Sequence, residues 1–370
     1  MLVPPLRFPG FTDEWKNNKV ENLFEISVAG DIDKSSISNN QSEKYPYPII
    51  SNSLENEGIY GYTNKYKCEA GTITVTGRGT LGIAKSRDYK YYPIVRLLSL
   101  KPCDSIDYRF AQYALNLIHY FFEVTGVPQL TAPQLSSYDI RYPTLSEQQK
   151  IARFLSLIDE RIATQNKIIE DLKKLKSAII DTHFNGKITN RRLGDLIHEV
   201  SNRNKKNLDL PVLSVSNRQG FISQSEQFEN RIIASDDTSN YKIVIKDDFA
   251  YNPARINVGS IARLINYDRG IVSPMYICFS CSDEILPEYL ELFFQSQYFQ
   301  LEVEKRLEGS VRLCLSIEGI KSIQLNLLPY SEQNIFSEKL KAIQSKLNNE
   351  ETMNLLYQAQ RKYLLTNMFI

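Results

Sequence analysis

Gly77-Arg-Gly79-Thr-Leu-Gly82 spaces its glycines as a dinucleotide-binding turn does. That chemistry needs a long helix opening at the third glycine, with its N-terminus on a pyrophosphate. Here Ile83 to Asp88 runs quickly into Tyr89-Lys-Tyr-Tyr-Pro93, a poor helix. We therefore read a glycine turn that brings backbone close to a neighbour. Cys278-Phe-Ser-Cys281 is half of a zinc site, with no second pair or nearby His to complete it, and reads as a pair of strand cysteines. His119, His183 and His198 lie far apart, and Gly186-Lys187 is followed by Ile188, which excludes a phosphate-cradling P-loop. The sequence thus offers no catalytic group, and no cofactor or metal is expected.

Base reading is better supplied. Arg pairs with guanine, and Asn or Gln with adenine, through two hydrogen bonds each. In the first half of the chain the candidate readers are Arg78, Lys85 and Arg87, in the stretch Gly77 to Arg87. In the second half they are Arg255 and Asn257, in Asn252-Pro-Ala-Arg-Ile-Asn257, together with Arg263. Gln129 follows Gly126-Val-Pro and Arg312 follows Gly309-Ser-Val, two matching turns. Charge is placed to suit. The net charge is only +1, yet Lys65 to Lys101 holds eight basic residues against two acids and Lys187 to Lys206 holds six against two. Such asymmetry fits one face turned to phosphates.

Length and composition bound the rest. A chain of 370 residues with 42% apolar residues, 22 Tyr and 17 Phe is an ordinary globular protein of two or three domains, not a disordered one. No apolar run approaches the roughly 18 residues that a membrane span needs. Met1-Leu-Val-Pro-Pro-Leu-Arg7 does not read as a signal peptide, and five cysteines read as reduced thiols, so a cytoplasmic location is expected.

The elements that must position the readers repeat. Ser-Glu-Gln starts at Ser146 and at Ser331, and the stretches it opens end at Phe184 and Phe369, both offset by 185. Ile151, Leu155, Ile158, Ile162, Gln165, Ile169, Leu172, Lys176 and Ile179 alternate spacings of four and three. Phe336, Leu340, Ile343, Leu347, Glu350, Asn354, Tyr357, Arg361 and Leu364 follow the same ladder. A 3.5-residue seam predicts two coiled-coil helices, each roughly 58 Å long. Ser146 with Gln149 reads as a capping box, and Ser331 keeps the cap.

The segments before each helix match more loosely: Pro48-Ile-Ile-Ser51 with Pro211-Val-Leu-Ser214, Leu81-Gly-Ile-Ala-Lys85 with Gly259-Ser-Ile-Ala-Arg263, and Asp107-Tyr108 with Glu288-Tyr289. The expected layout is a globule at 1–144, a helix at 145–184, a globule at 185–329 and a helix at 330–370. Each globule reads as mixed α and β, with strands at Thr72–Thr76 and Lys242–Ile245 and helices at Tyr108–Phe122 and Pro287–Glu304.

This layout resembles the specificity subunit of type I restriction–modification enzymes. The resemblance rests on the Pro-x-(x)-Ser-Glu-Gln helix entries, the Leu-Lys-Lys-Leu-Lys at the end of the first helix and the opening Arg7-Phe-Pro-Gly-Phe-Thr-Asp-Glu-Trp15. It implies an α+β fold: two similar target-recognition domains joined by two long antiparallel coiled-coil helices, pseudo-twofold overall. It also implies a non-catalytic subunit that binds double-stranded DNA and reads a bipartite target, one half-site per domain. The helices are then a spacer. The implied partners are methyltransferase subunits, two of them, and restriction and translocase subunits through the complex.

Two alternatives stand beside it. One is a self-contained DNA modification enzyme. Tyr251-Asn-Pro-Ala-Arg255 resembles the Asn/Asp-Pro-Pro-aromatic loop of adenine methyltransferases, but Ala254 and Arg255 replace the second proline and the aromatic that stacks a flipped base. The other is a coiled-coil scaffold without DNA specificity.

Overall fold

The structure is a computed structural model that describes residues 3–121, 128–217, 219–223, 237–309 and 312–369. The chain divides into two compact units. Residues 1–165 and 353–370 form the first, and residues 166–352 the second. Each unit therefore takes a share of both long helices.

In the first unit, β1 (Lys16–Lys19) leads into α1 (Val20–Leu23) and β2 (Phe24–Val28). Then come β3 (Tyr47–Ile50), β4 (Ile59–Thr63), β5 (Thr72–Val75), β6 (Ala84–Arg87), β7 (Tyr92–Pro93) and β8 (Leu98–Pro102). They make an antiparallel sheet in the order β2-β8-β5-β6 and a three-stranded sheet β4-β3-β7, in which β3 and β7 run parallel. The helices α2 (Tyr108–Asn116) and α3 (Ala132–Ser136) follow, and β9 (Asp139–Tyr142) pairs back on β1. The chain then enters α4 (Leu145–His183).

The second unit repeats this plan. Its strands are β10 (Arg191–Arg192), β11 (Ile197–Glu199), β12 (Val212–Ser216), β13 (Gly220–Ser223), β14 (Lys242–Ile245), β15 (Phe249–Tyr251), β16 (Ile261–Arg263), β17 (Arg269–Val272), β18 (Ile277–Cys281) and β19 (Gln324–Leu325). The order β11-β18-β15-β16 copies the first antiparallel sheet. The order β13-β12-β17-β14 copies the second with one added strand, and β12 and β17 are again parallel. Its helices are α5 (Pro287–Phe294), α6 (Gln297–Glu304), α7 (Ile317–Lys321) and α8 (Tyr330–Met368).

Two expected helices come out shorter. The described α2 stops at Asn116, whose side-chain amide turns back to bond both the N–H and the C=O of Ala84 at 2.9 Å, closing the edge of β6. The stretch 287–304 is two helices, because Ser296 Oγ accepts the N–H of Phe299 at 3.1 Å and caps a new start.

The long helices bury the seam that their spacing predicts. Ile151, Leu155, Ile169, Leu340 and Leu347 are buried, and Ile158, Ile162, Leu172 and Ile343 are half-buried. In the first unit Arg161 Nε donates to Tyr357 Oη at 3.1 Å, and Arg361 pairs with Asp159. In the second, Lys173 meets Glu351 at 2.7 Å and Lys176 donates to Gln344 at 2.9 Å. Rising numbers on one helix meet falling numbers on the other, so within each unit the helix segments are antiparallel. Among the described residues no helix is long and apolar enough to cross a membrane.

Ser146 and Ser331 are not caps. The helices begin at Leu145 and Tyr330, so both serines lie inside the first turn. The repeated motif is held by its glutamine instead. Gln148 is fully buried. Its Oε1 accepts the N–H of Asp107 at 2.9 Å, and its Nε2 donates to the carbonyls of Ser105 at 3.0 Å and Pro143 at 2.9 Å. Gln333, equally buried, accepts from Leu286 N–H at 2.8 Å and donates to the carbonyls of Glu284 and Leu328, both at 2.9 Å. These bonds align Asp107 with Leu286 and hence Phe110 with Tyr289, a different pairing from the Asp107–Glu288 match expected. Phe369 stacks on Phe110 at 5.3 Å as Phe184 meets Tyr289 at 5.1 Å, so the helix-ending phenylalanines occupy matching places.

Candidate nucleic-acid interface

In the first unit two of the reading candidates, Arg78 and Gln129, lie on loops that one backbone position gathers. Gly77 leaves β5, its carbonyl accepts the N–H of Leu130 at 3.0 Å, and its own N–H donates to Asn52 Oδ1 at 2.8 Å. Arg78, next along, is exposed, and so is Gln129, which precedes Leu130. The turn is shaped by Gly79 and Gly82, both left-handed at φ 71° and 78°. A side chain at Gly82 would collide with the Tyr120 ring at 2.4 Å. No helix opens there; residues 84–87 are strand.

The second unit builds the same junction. Pro253 C=O accepts the N–H of Leu315 at 3.0 Å, as Gly77 does from Leu130. Thr131 and Ser316, the residues after these leucines, cap α3 and α7. Asn217, directly after β12, donates from its amide to Val258 C=O at 3.3 Å, a different bond from the one Asn52 makes to Gly77. Arg255 and Asn257 are exposed on this loop, and Arg312 is exposed just before Leu315. The matched leucines place Cys314, not Arg312, at the counterpart of Gln129. Gly126, Val127, Ser310 and Val311 of the two expected turns, and Phe122, lie outside the described residues.

Three candidates are committed elsewhere. Arg87 is buried at 4% exposure. Its guanidinium donates to Thr74 Oγ1 at 3.0 Å, Glu57 C=O at 3.0 Å and Tyr89 Oη at 3.1 Å, so it ties strands together and presents nothing to solvent. Arg263 pairs with Asp247 at 2.8 Å, Glu291 at 3.0 Å and Glu288. Burial works against its charge, but the carboxylates outweigh that and hold its pKa above the ordinary value. Lys85 is half-buried and paired with Glu57 at 2.9 Å. The sequence reading missed Asn52 and Asn217. The signal was present as Ile-Ser-Asn52 and Val-Ser-Asn217, each just past an apolar β-branched run.

The tempting chemical motifs are occupied structurally. Tyr251 is fully buried, donates to Leu315 C=O at 3.2 Å, and is unavailable to stack a base. Asn252 Oδ1 accepts from Ala254 N–H at 3.1 Å, a local turn. Burial pushes the Cys278 and Cys281 thiols up to about 12. His183 bonds Tyr289 Oη at 2.7 Å and lies against Phe336, and burial lowers its pKa.

Asp248, beside the Arg263 cluster in sequence, gives a pH prediction. Burial, opposed by a bond from Ile245 N–H and reinforced by Asp247, raises its pKa to about 6. A folded value above the unfolded one means that its contribution is favourable below about pH 4 and is lost as pH rises through 6. Asp248→Asn keeps an acceptor for Ile245. It should stabilise the chain by about 1–3 kcal/mol at pH 8 and by much less at pH 4.5. Thermal melts of both proteins across that range check this; equal gains at both pH values would contradict it.

Residues 12–174 match the model of the type I restriction modification DNA specificity domain. A Mycoplasma pneumoniae protein named as a type I specificity subunit, S.MpnORF89P, is 32% identical over 175 residues, 46% of this chain and 52% of that protein. A second from the same organism, S.MpnORF507P, is 30% identical over 154 residues, 42% of each. The matches thus span about half the length of these relatives. The crystal structure of a type I restriction-modification S subunit from M. genitalium shares the fold, with a TM-score of 0.66 over 100% of this chain and 99% of that one, at 18% identity.

Proposed function

We propose, from the match of residues 12–174 to the type I specificity domain, that the chain is the DNA-reading subunit of a type I restriction–modification complex. Each unit reads one half of a bipartite target in double-stranded DNA, and α4 and α8 act as the spacer. The chain performs no chemistry itself. It directs two methyltransferase subunits and, through the assembled complex, the restriction and translocase subunits. The outward faces of the long helices are the natural docking ground for the methyltransferases, because Leu157, Leu355 and Leu356 are more than half exposed there.

One observation carries this reading. Both units pin a post-strand loop by the same backbone bond, Leu130 to Gly77 and Leu315 to Pro253, yet expose different side chains on it. A shared scaffold with Arg78 and Gln129 in one copy and Arg255 and Asn257 in the other is what two unlike half-sites require.

The test is DNA binding by the chain assembled with its methyltransferase partner, titrated across salt and across sequences. A specific reader that neutralises six to ten phosphates loses about 10³–10⁵ in affinity between 50 and 200 mM salt and strongly prefers its target. A coiled-coil scaffold shows neither the slope nor the preference. Methyl transfer to DNA by the chain alone would instead make it a self-contained enzyme.

A further inference from the structure

Val95 and Arg96 form the turn between β7 and β8, and both are left-handed, at φ 56° and 58°. Glycine takes this conformation freely, whereas a β-branched residue followed by an arginine does so only against strain. The turn is nonetheless firmly held. The N–H groups of Val95 and Arg96 donate to the carbonyls of Gly30 and Ala29, both at 3.1 Å. Asn52 Nδ2 donates to the Val95 carbonyl at 2.6 Å. The same Asn52 accepts, through Oδ1, from the N–H groups of Gly77 and Arg78 at 2.8 and 3.3 Å. One half-buried amide therefore ties the strained turn to the Arg78 loop.

Gly77 marks how closely these segments meet. A Cβ added there would lie 2.8 Å from the carbonyl of Arg96 and 3.0 Å from that of Leu130. Arg78, Arg96 and Gln129, all exposed, thus leave three chain segments that converge on one glycine. Unlike Arg87, Arg96 is not buried among strand partners. The matching turn of the second unit, between β17 and β18, exposes Met275 instead. Neither Pro274 nor Met275 of that turn is left-handed, so the constrained pair is particular to the first unit.

We propose that Arg96 is a specificity-determining residue of the first unit, reading a guanine edge beside Arg78, and that Asn52 is the residue that positions it. The proposal rests on the reading of this unit as a DNA-recognition domain. The turn presents an exposed guanidinium beside Arg78, and its fork matches guanine O6 and N7.

Arg96→Gly tests this without threatening the fold, since glycine relaxes the turn. The assembled complex is measured against targets altered one base pair at a time. The expected result is a melting temperature no lower than that of the parent chain, affinity for the parent target lower by about tenfold to a hundredfold, and lost preference at a guanine of one half-site only. Asn52→Ala should blur the same position, and combining it with Arg96→Gly should change the preference there no further. Unchanged binding by Arg96→Gly, or an equal loss on every sequence, overturns the proposal while leaving a discriminating parent complex intact. A parent complex with no sequence preference at all would overturn the DNA-recognition reading, and this proposal with it.

Discussion

On the proposed reading, Arg78→Ala and Arg255→Ala should each lower the affinity of the assembled complex for its target by about tenfold to a hundredfold, and each should relax a different half of the site. The magnitude is that of one lost bidentate contact to a base. Both residues are exposed on loops whose backbones are fixed from below, Arg78 by Asn52 and Arg255 by the turn around Asn252. Truncation therefore removes a side chain without releasing the loop, and melting temperatures should hold. Arg87→Ala gives the contrasting result. It empties three internal hydrogen bonds and destabilises the first unit, so any loss of binding follows unfolding. Binding isotherms on half-site variants, paired with thermal melts, separate the two behaviours. Unchanged affinity in both Arg78→Ala and Arg255→Ala would remove these loops from the DNA face.

Arg7→Ala destabilises the first unit by roughly 2–5 kcal/mol. Arg7 Nε and Nη2 donate to the two carboxylate oxygens of Glu147, both at 2.7 Å. Glu147 is fully buried in the first turn of α4, and its partner's side chain is only 13% exposed. The hydrogen bonds to Glu147 outweigh burial and hold the Arg7 pKa above its ordinary value. Removing the guanidinium strands a carboxylate away from water, which costs more than the pair contributed. The surrounding segment adds to the fastening: Leu6 N–H donates to Asn367 C=O at 2.8 Å, Phe8 packs edge-on to Phe154, and Trp15 contacts Phe110 and Phe369. Trp15 is the single tryptophan, 2% exposed and within the first unit, so its fluorescence follows that unit alone. Its urea transition should move to lower denaturant in Arg7→Ala and nearly recover in an Arg7→Met, Glu147→Leu double variant. An unmoved transition would mean that the pair carries no stability.

The long helices were legible because their cause is local. A 3.5-residue ladder at Ile151, Leu155 and Ile158 and at Leu340, Ile343 and Leu347 makes a stripe that must be covered, whatever else the chain does. The duplication was legible for the same reason. What misled was non-local. Ser-Glu-Gln satisfies a capping rule on paper, but its repetition answers to Gln148 and Gln333, which bond carbonyls and N–H groups brought back from more than forty residues away. Arg87 and Arg263 carry the right side chain for reading DNA, and nothing in their neighbours along the chain announces the Thr74 or Glu291 that claims each one. Side-chain type sets what a residue is able to do. Burial and partners, which arrive only with the fold, decide whether it does so. Asn52 was overlooked because an asparagine after a strand reads as an ordinary turn former, and its three bonds link segments far apart in sequence.

The central claim is that two unlike readers on one scaffold give one chain a two-part target. Mapping methylated adenines across the genome of cells that carry the partner methyltransferase, with this chain and without it, tests that most directly. The account predicts methylation that depends on the chain and falls on a motif of two different half-sites separated by a fixed unspecified gap, with the Arg255→Ala chain relaxing one half and sparing the other. Methylation that persists without the chain, or a single uninterrupted motif that Arg255→Ala degrades throughout, would contradict it.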